Sequence, residues 1–186
     1  MGKMTVYHGS YTVVKEPKVV KSRNTKDFGN GFYCTIIREQ AERWARRYET
    51  PMVNAYTVRM DESLKILEFS DMTEEWLDFI IDCRHGKTHD YDIVIGAMAN
   101  DQIYNFIADY MDGIITREQF WVLARFKYPT HQINFCTPKA IECFSTFIGV
   151  TLKVSIFADD QIHAFILPIS VEKQLEAINM KKLIIS

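Results

Sequence analysis

Apolar and polar positions change their spacing several times along the chain, and those changes mark out its elements. Met4-Thr5-Val6-Tyr7 is β-prone and predicts a first strand that ends at His8-Gly9-Ser10. Residues 11–27 read as a polar, extended connection, with Pro17 disfavouring helix around it. Gly31–Thr35 predicts a second short strand with Phe32 and Tyr33 on opposite faces, because strand side chains alternate. Ala41, Trp44, Ala45 and Tyr48 recur at three- and four-residue spacings and predict an amphipathic helix over Arg38–Tyr48, ending before Pro51. Val53–Met60 alternates as a strand, and Lys65–Phe69 is another.

Farther on, Asp71-Met72-Thr73-Glu74 reads as an N-cap with an acidic first turn, followed by a helix through Trp76, Phe79, Ile80 and Cys83. Tyr91–Gly96 is a buried-looking strand. Asn100-Asp101 stands where a cap would for a helix over 102–111, and Thr116–Phe126 predicts a further helix. Gln132–Cys136 predicts a strand, and Lys139–Phe147 a short helix or a helix running into a strand. Leu152–Phe157 and Ala164–Ile169 are β-like around Asp159-Asp160-Gln161, and Val171–Met180 reads as a terminal helix. Strands interrupted by helices without regular alternation predict an α+β fold with a mixed sheet. Residues 1–150 form the expected domain, and residues 151–186 a C-terminal strand and helix extension packed on it.

Composition narrows the class. A 186-residue chain with 47% hydrophobic residues can bury one sizeable core. Its 12 Phe, 9 Tyr and 3 Trp predict that the core is rich in rings. The net charge of -2 and a pI near 6.2 argue against a protein whose main task is to coat nucleic-acid phosphates. No apolar run approaches the roughly 20 residues of a membrane-spanning helix, and the first residues lack a signal-peptide core, so a cytoplasmic location is expected. Cys34, Cys83, Cys136 and Cys143 show no CxxC spacing and read as reduced core thiols.

Several residues carry candidate chemistry. His8 and Tyr33 end or occupy short strands beside glycines, so they could face each other across an open space; the plainer alternative is a strand-end histidine and a core tyrosine. His85-x-x-x-His89-Asp90 has a metal-like spacing but lies in a polar turn without a cysteine partner. Arg43, Arg46 and Arg47 make a basic helix face, read chiefly as a solvated one. Cys34 and His131 are not ordered as a nucleophile pair.

Taken together, Tyr7-His8-Gly9-Ser10, Asp27-Phe28-Gly29-Asn30-Gly31-Phe32-Tyr33-Cys34-Thr35 and Gln40-Ala41-x-x-Trp44-Ala45 resemble a bacterial group within the ADP-ribosyltransferase-like superfamily. The resemblance continues through Glu75-Trp76-Leu77-x-Phe79, Tyr91-Asp92-Ile93-Val94-x-Gly96, Ala99-Asn100-Asp101 and Gln132-Ile133-x-Phe135. It spans about residues 4–148 in order and leaves 149–186 outside.

The resemblance implies two small sheets with flanking helices around a cleft for NAD, which serves as substrate. It implies mono-ADP-ribosyl transfer to a macromolecular acceptor, taken as a protein with nucleic acid as the alternative, in a toxin-like setting with a neutralising partner protein. His8 would bind the ribose, Gly9 would admit the nicotinamide amide, and Tyr33 would stack on the ring; Ser10, Gly31 and Asn100 would complete the binding surface. Gln132 stands where the superfamily often has a catalytic glutamate; it can bond a 2′-hydroxyl but brings no charge. Asp101 is the replacement acid expected to face the developing cation, with a helix cap as its plainer role. The rival expectation is a non-catalytic module that binds NAD, ADP-ribose or a protein.

Overall fold

A computed structural model describes residues 2–21, 26–99, 101–124 and 130–152. It is α+β, with two small sheets and several helices. The first sheet has the order β1-β3-β7 and is antiparallel: β1 is Lys3–Ser10, β3 is Met52–Arg59 and β7 is Phe144–Leu152. The second has the order β2-β6-β5-β4, from β2 Phe32–Cys34, β6 Gln132–Phe135, β5 Ile93–Gly96 and β4 Ile66–Glu68. Only β4 and β5 run parallel among these pairs, and the chain between them contains helix α2, Glu74–Arg84, the kind of crossover that parallel neighbours require.

The two sheets turn apolar faces toward one another. Val6, Tyr56 and Val58 from the first meet Phe32, Ile93, Ile133 and Phe135 from the second in one buried cluster. Ring packing is dense there, as the composition implies: Phe135 and Phe144 have centroids 4.6 Å apart, and Tyr56 meets Phe144 edge-on at 5.2 Å. The outer face of the second sheet carries a separate cluster. Phe28 and Val94 pack there against Trp76, Leu77 and Ile80 of α2, Ile103 and Ile107 of α3 (Asp101–Met111), and Phe120 and Ala124 of α4 (Arg117–Ala124). On the outer face of the first sheet, Ala41 and Ala45 of α1 (Arg38–Ala45) cover Val53 and Tyr7.

Local signals explain most boundaries. Thr73 caps α2 by accepting the Trp76 N–H at 3.3 Å, and Glu74 and Glu75 put negative charge at the positive helix end. Helix α1 stops three residues earlier than its apolar spacing predicts. Arg47 and Tyr48 donate to Trp44 and Ala45, three residues back, so the last turn tightens and the helix ends. The segment after Thr137 resolves into a short helix α5, Pro138–Ile141, followed by β7. The fully buried Asn54 pins the connection after β1, accepting from Val14 N at 2.8 Å and donating to Thr12 O at 3.1 Å.

Strand β7 continues to Leu152, so the expected division after residue 150 falls inside it. The predicted strand beyond Leu152, the strand Ala164–Ile169 and the helix Val171–Met180 lie outside the described residues. No helix among the described residues is long and apolar enough to cross a membrane. All four cysteines are free.

Candidate functional site

Strands β1 and β2, from different sheets, touch at an isolated bridge. Tyr7 and Thr35 exchange N–H···O bonds of 2.8 and 2.9 Å. His8 follows directly, and its Nδ1 lies 2.7 Å from the main-chain oxygen of Tyr33. A carbonyl only accepts, so Nδ1 carries the hydrogen and Nε2 of the neutral ring is left as an acceptor. Burial lowers the His8 pKa and outweighs the bond to Tyr33, which raises it; the charge of Lys26 lowers it a little further. Burial thus favours the neutral imidazole, with Nδ1 committed to Tyr33 O and Nε2 without a partner among the described residues.

The ring of His8 packs on Phe32, with centroids 4.4 Å apart, rather than facing the ring of Tyr33. Alternation along β2 accounts for this. Phe32 turns into the cluster between the sheets, and Tyr33 turns toward the helix-side cluster. His8 thus grips the backbone of Tyr33, not its side chain. The Tyr33 hydroxyl donates to Gly29 O at 2.7 Å and accepts from Phe28 N at 3.0 Å, so its edge is tied to the turn before β2. Burial first, and then the charge of Asp27, keep its pKa well above the ordinary value.

Gln132 opens β6, which pairs with β2 so that Tyr33 stands opposite Asn134. Side chains two apart share a face, so Tyr33, Asn134 and Gln132 all lie on the helix side of the sheet. Gln132 is 5% exposed, and its Nε2 donates to Asp27 Oδ2 at 3.1 Å and Ala97 O at 3.2 Å. Asp27 also accepts from Ala99 N at 2.9 Å and pairs with Arg84 at 2.7 Å. The loop that leaves β5 toward Asn100 and Asp101 is therefore fastened to the same cluster. Asn100 lies outside the described residues, and Asp101 begins α3.

The glycines have structural duties here. A β-carbon on Gly9 would sit 2.3 Å from Ala41 O, so its missing side chain is what lets α1 lie on β1. Gly31 has φ +155, and a β-carbon there would be 1.9 Å from Asn134 Oδ1. Buried Ser10 accepts from Thr12 N at 3.3 Å. Trp44, whose β-carbon borders Gly9, carries the Arg47 guanidinium over its ring at 4.2 Å and the Lys26 ammonium at 5.7 Å.

Other candidates are engaged separately. His89 lies with Nε2 3.3 Å from Phe28 O and Nδ1 accepting from Tyr91 N, whereas Asp90 pairs with Lys65. Cys34 is buried among apolar groups, which pushes its thiol well up and keeps it protonated. The main chain of His131 is bracketed by Gln40, which donates to its oxygen at 2.6 Å and accepts from its nitrogen at 3.1 Å. A shallow depression lined by Glu42, Ala45, Arg46, Pro51, Val53 and Thr151 includes Arg46 of the basic helix face but none of His8, Tyr33, Asp101 and Gln132.

Sequence reasoning gave Asp27, Arg84, Gln40 and Asn134 no part in the site. Arg84 did leave a signal. It continues the spacing of Trp76, Leu77, Ile80 and Cys83, so a charged residue falls on the buried side of α2 and requires a buried partner.

The fold is α+β, with His8 on β1 bonded to the backbone of β2, and with Tyr33 on β2 and Gln132 on β6 sharing the helix-side face of the second sheet. Residues 4–146 match the family described as "Protein of unknown function (DUF3990)", and the chain belongs to that family. No curated protein and no solved structure matches it.

Proposed function

We propose that this protein is a mono-ADP-ribosyltransferase with an ADP-ribosyltransferase-like fold, taking NAD as substrate and transferring ADP-ribose to a macromolecular acceptor, in the first instance a protein. In that reaction the bond between the ribose C1′ and the nicotinamide nitrogen breaks, and its electrons leave with nicotinamide. An acceptor nucleophile then bonds C1′ and gives up its proton. Stabilisation of the cationic ribosyl in between is the main demand on the site.

The observation that carries the reading is the placement of His8, Tyr33 and Gln132 on three neighbouring strands, β1, β2 and β6. His8 Nε2 would accept from a ribose hydroxyl, since Nδ1 is committed to Tyr33 O. The Tyr33 ring would stack on nicotinamide, and Gln132 would bond the 2′-hydroxyl. Gly9, Ser10, Gly31 and Asn100 would shape the surface around them. Asp101 is the acid assigned to the developing cation, reached through the loop that Asp27 and Gln132 fasten. A toxin-like role with a neutralising partner protein belongs to the same proposal.

A second reading, a non-catalytic module that binds NAD, ADP-ribose or a protein, is favoured by Gln132. It is an amide rather than an acid, and both its N–H groups are engaged.

Incubation with NAD carrying label in its adenylate, together with cell extract, tests both. Nicotinamide release with label on protein supports the transferase; label on nucleic acid moves the acceptor class. NAD binding without nicotinamide release from protein alone or with extract would replace the transferase by the binding module.

A further inference from the structure

Asp27 stands where four separate parts of the chain converge. Its side chain is 9% exposed and that of Arg84 5%. Oδ1 accepts from Arg84 at 2.7 Å, while Oδ2 accepts from Ala99 N at 2.9 Å and Gln132 Nε2 at 3.1 Å. The second Gln132 hydrogen goes to Ala97 O at 3.2 Å. Turning the Gln132 amide over would aim its oxygen at a carboxylate oxygen and a carbonyl oxygen, three acceptors with no hydrogen between them. The amide therefore has one orientation, with Nε2 toward Asp27 and Oε1 turned away from it.

We infer that Asp27 is a positioning residue for Gln132, holding its amide oxygen toward the ribose, and that the Asp27 charge is why position 132 carries an amide rather than a carboxylate. A carboxylate at 132 would face Asp27 Oδ2 at hydrogen-bond distance with no proton between them. Like charges that close in a buried site cannot both be ionised without a large cost. The ribose half of the inference rests on the NAD reading above; the pairing of positions 27 and 132 does not.

Among the described residues, the charged and titratable groups packed around this pair come from several elements. Arg84 and Cys83 come from α2, Tyr104 from α3 lies 4.1 Å from the Arg84 guanidinium, Tyr33 comes from β2, and Cys136 follows β6. His89 reaches the same turn through Phe28 O. Only Arg84 among them supplies positive charge by a direct bond to Asp27, and it bonds the oxygen away from Gln132. The field of Asp27 is felt in the site, since it helps raise both the Tyr33 hydroxyl and the Cys83 thiol.

The test is Gln132→Glu, which keeps shape and adds a charge. Beside Asp27 the introduced carboxyl should have a folded pKa raised above its unfolded value of about 4.3. A raised carboxyl costs nothing while protonated in both states, and destabilises as pH climbs from the unfolded value through the folded one. The melting midpoint of Gln132→Glu should therefore match wild type near pH 4.5 and fall below it by roughly 3–6 °C at pH 8. Adding Asp27→Asn should abolish that pH-dependent difference. If Gln132→Glu does not fold at neutral pH, the double variant should restore folding.

A pH-independent difference for Gln132→Glu, or no relief from Asp27→Asn, overturns the inference whatever the NAD assays show. Asp27→Asn alone should lower kcat for nicotinamide release at least tenfold with a smaller change in KM, because the Tyr33 surface is kept while the amide at 132 loses its fixed orientation. Equal kcat to wild type would remove the positioning role. The pH-dependent coupling without any NAD binding or cleavage by wild type would keep the 27–132 pairing and discard the NAD reading.

Discussion

The amide oxygen of Asn134 occupies the space where a side chain on Gly31 would begin, 1.9 Å from an ideal β-carbon position. Asn134 is fully buried and donates to Phe28 O at 2.8 Å and Asn30 O at 3.1 Å, holding the turn that leads into β2. Gly31 also sits at φ +155, a backbone region that side chains disfavour. Gly31→Ala should cost about 2–4 kcal/mol in denaturant unfolding, from overpacking and strain together. Gly9→Ala should cost about 1–3 kcal/mol by pushing α1 off β1. Gly2→Ala, with open space around it, should stay within about 0.5 kcal/mol.

Tyr33 separates ring from hydroxyl. Tyr33→Phe keeps the face proposed to stack on nicotinamide but releases Phe28 N and Gly29 O, and should cost about 1–3 kcal/mol in stability with NAD affinity retained. Tyr33→Ala should weaken NAD binding about tenfold or more in calorimetry at a temperature where the protein is folded. Unaltered affinity in folded Tyr33→Ala would reject the stacking role.

His8 predicts an acid limb. Its folded pKa is lowered, so the unfolded chain takes up the proton first as pH falls. The His8 contribution is complete above its unfolded value of about 6.5 and diminishes as pH drops below it toward the folded value. His131, also lowered by burial, adds a slope of the same sign. His8→Asn, whose side-chain amide can replace the Nδ1–H donor to Tyr33 O, should flatten part of the melting-temperature decline between pH 7 and pH 5 and leave the His131 part. Nicotinamide release should fall at least tenfold in the same variant. An unchanged acid limb would mean that His8 is protonated no less readily in the fold.

Asp101→Asn asks where the charge for catalysis comes from. An amide serves a helix start nearly as well as a carboxylate, so stability should change by less than about 1 kcal/mol. Turnover of NAD should fall on the order of 100-fold with NAD binding kept. Full turnover would eliminate Asp101 as the acid.

Much of the element order was legible because it is written locally. The alternation of Val53–Met60, a cap within Asp71–Glu74 and the spacing of Ala41 and Ala45 each declare themselves within a few residues. Strand β2 was found from Phe32 and Tyr33 for the same reason. What could not be read was pairing between distant segments. Asp27 and Gln132 are 105 residues apart, and Asp27 and Arg84 are 57 apart. Nothing in either neighbourhood names the other. The orientation of His8 was also hidden: its reach to the Tyr33 backbone depends on how two sheets meet at Tyr7 and Thr35, which periodicity along one strand does not encode. Arg84 carried a local signal that went unread: a charged residue on the apolar stripe of α2 requires a buried partner, though its neighbourhood does not say which.

The Tyr7–Thr35 bridge has one more consequence. It joins the two sheets beside the bond from His8 to Tyr33 O, with His8 next to Tyr7 on β1 and Gln132 on β6, the ladder partner of β2. A molecule bound to both would act as a staple across that join, adding fastening where the backbone supplies an isolated rung. Occupancy would then be visible far from any chemistry, as slowed exchange of the Tyr7 and Thr35 amides and a melting point that climbs with ligand concentration.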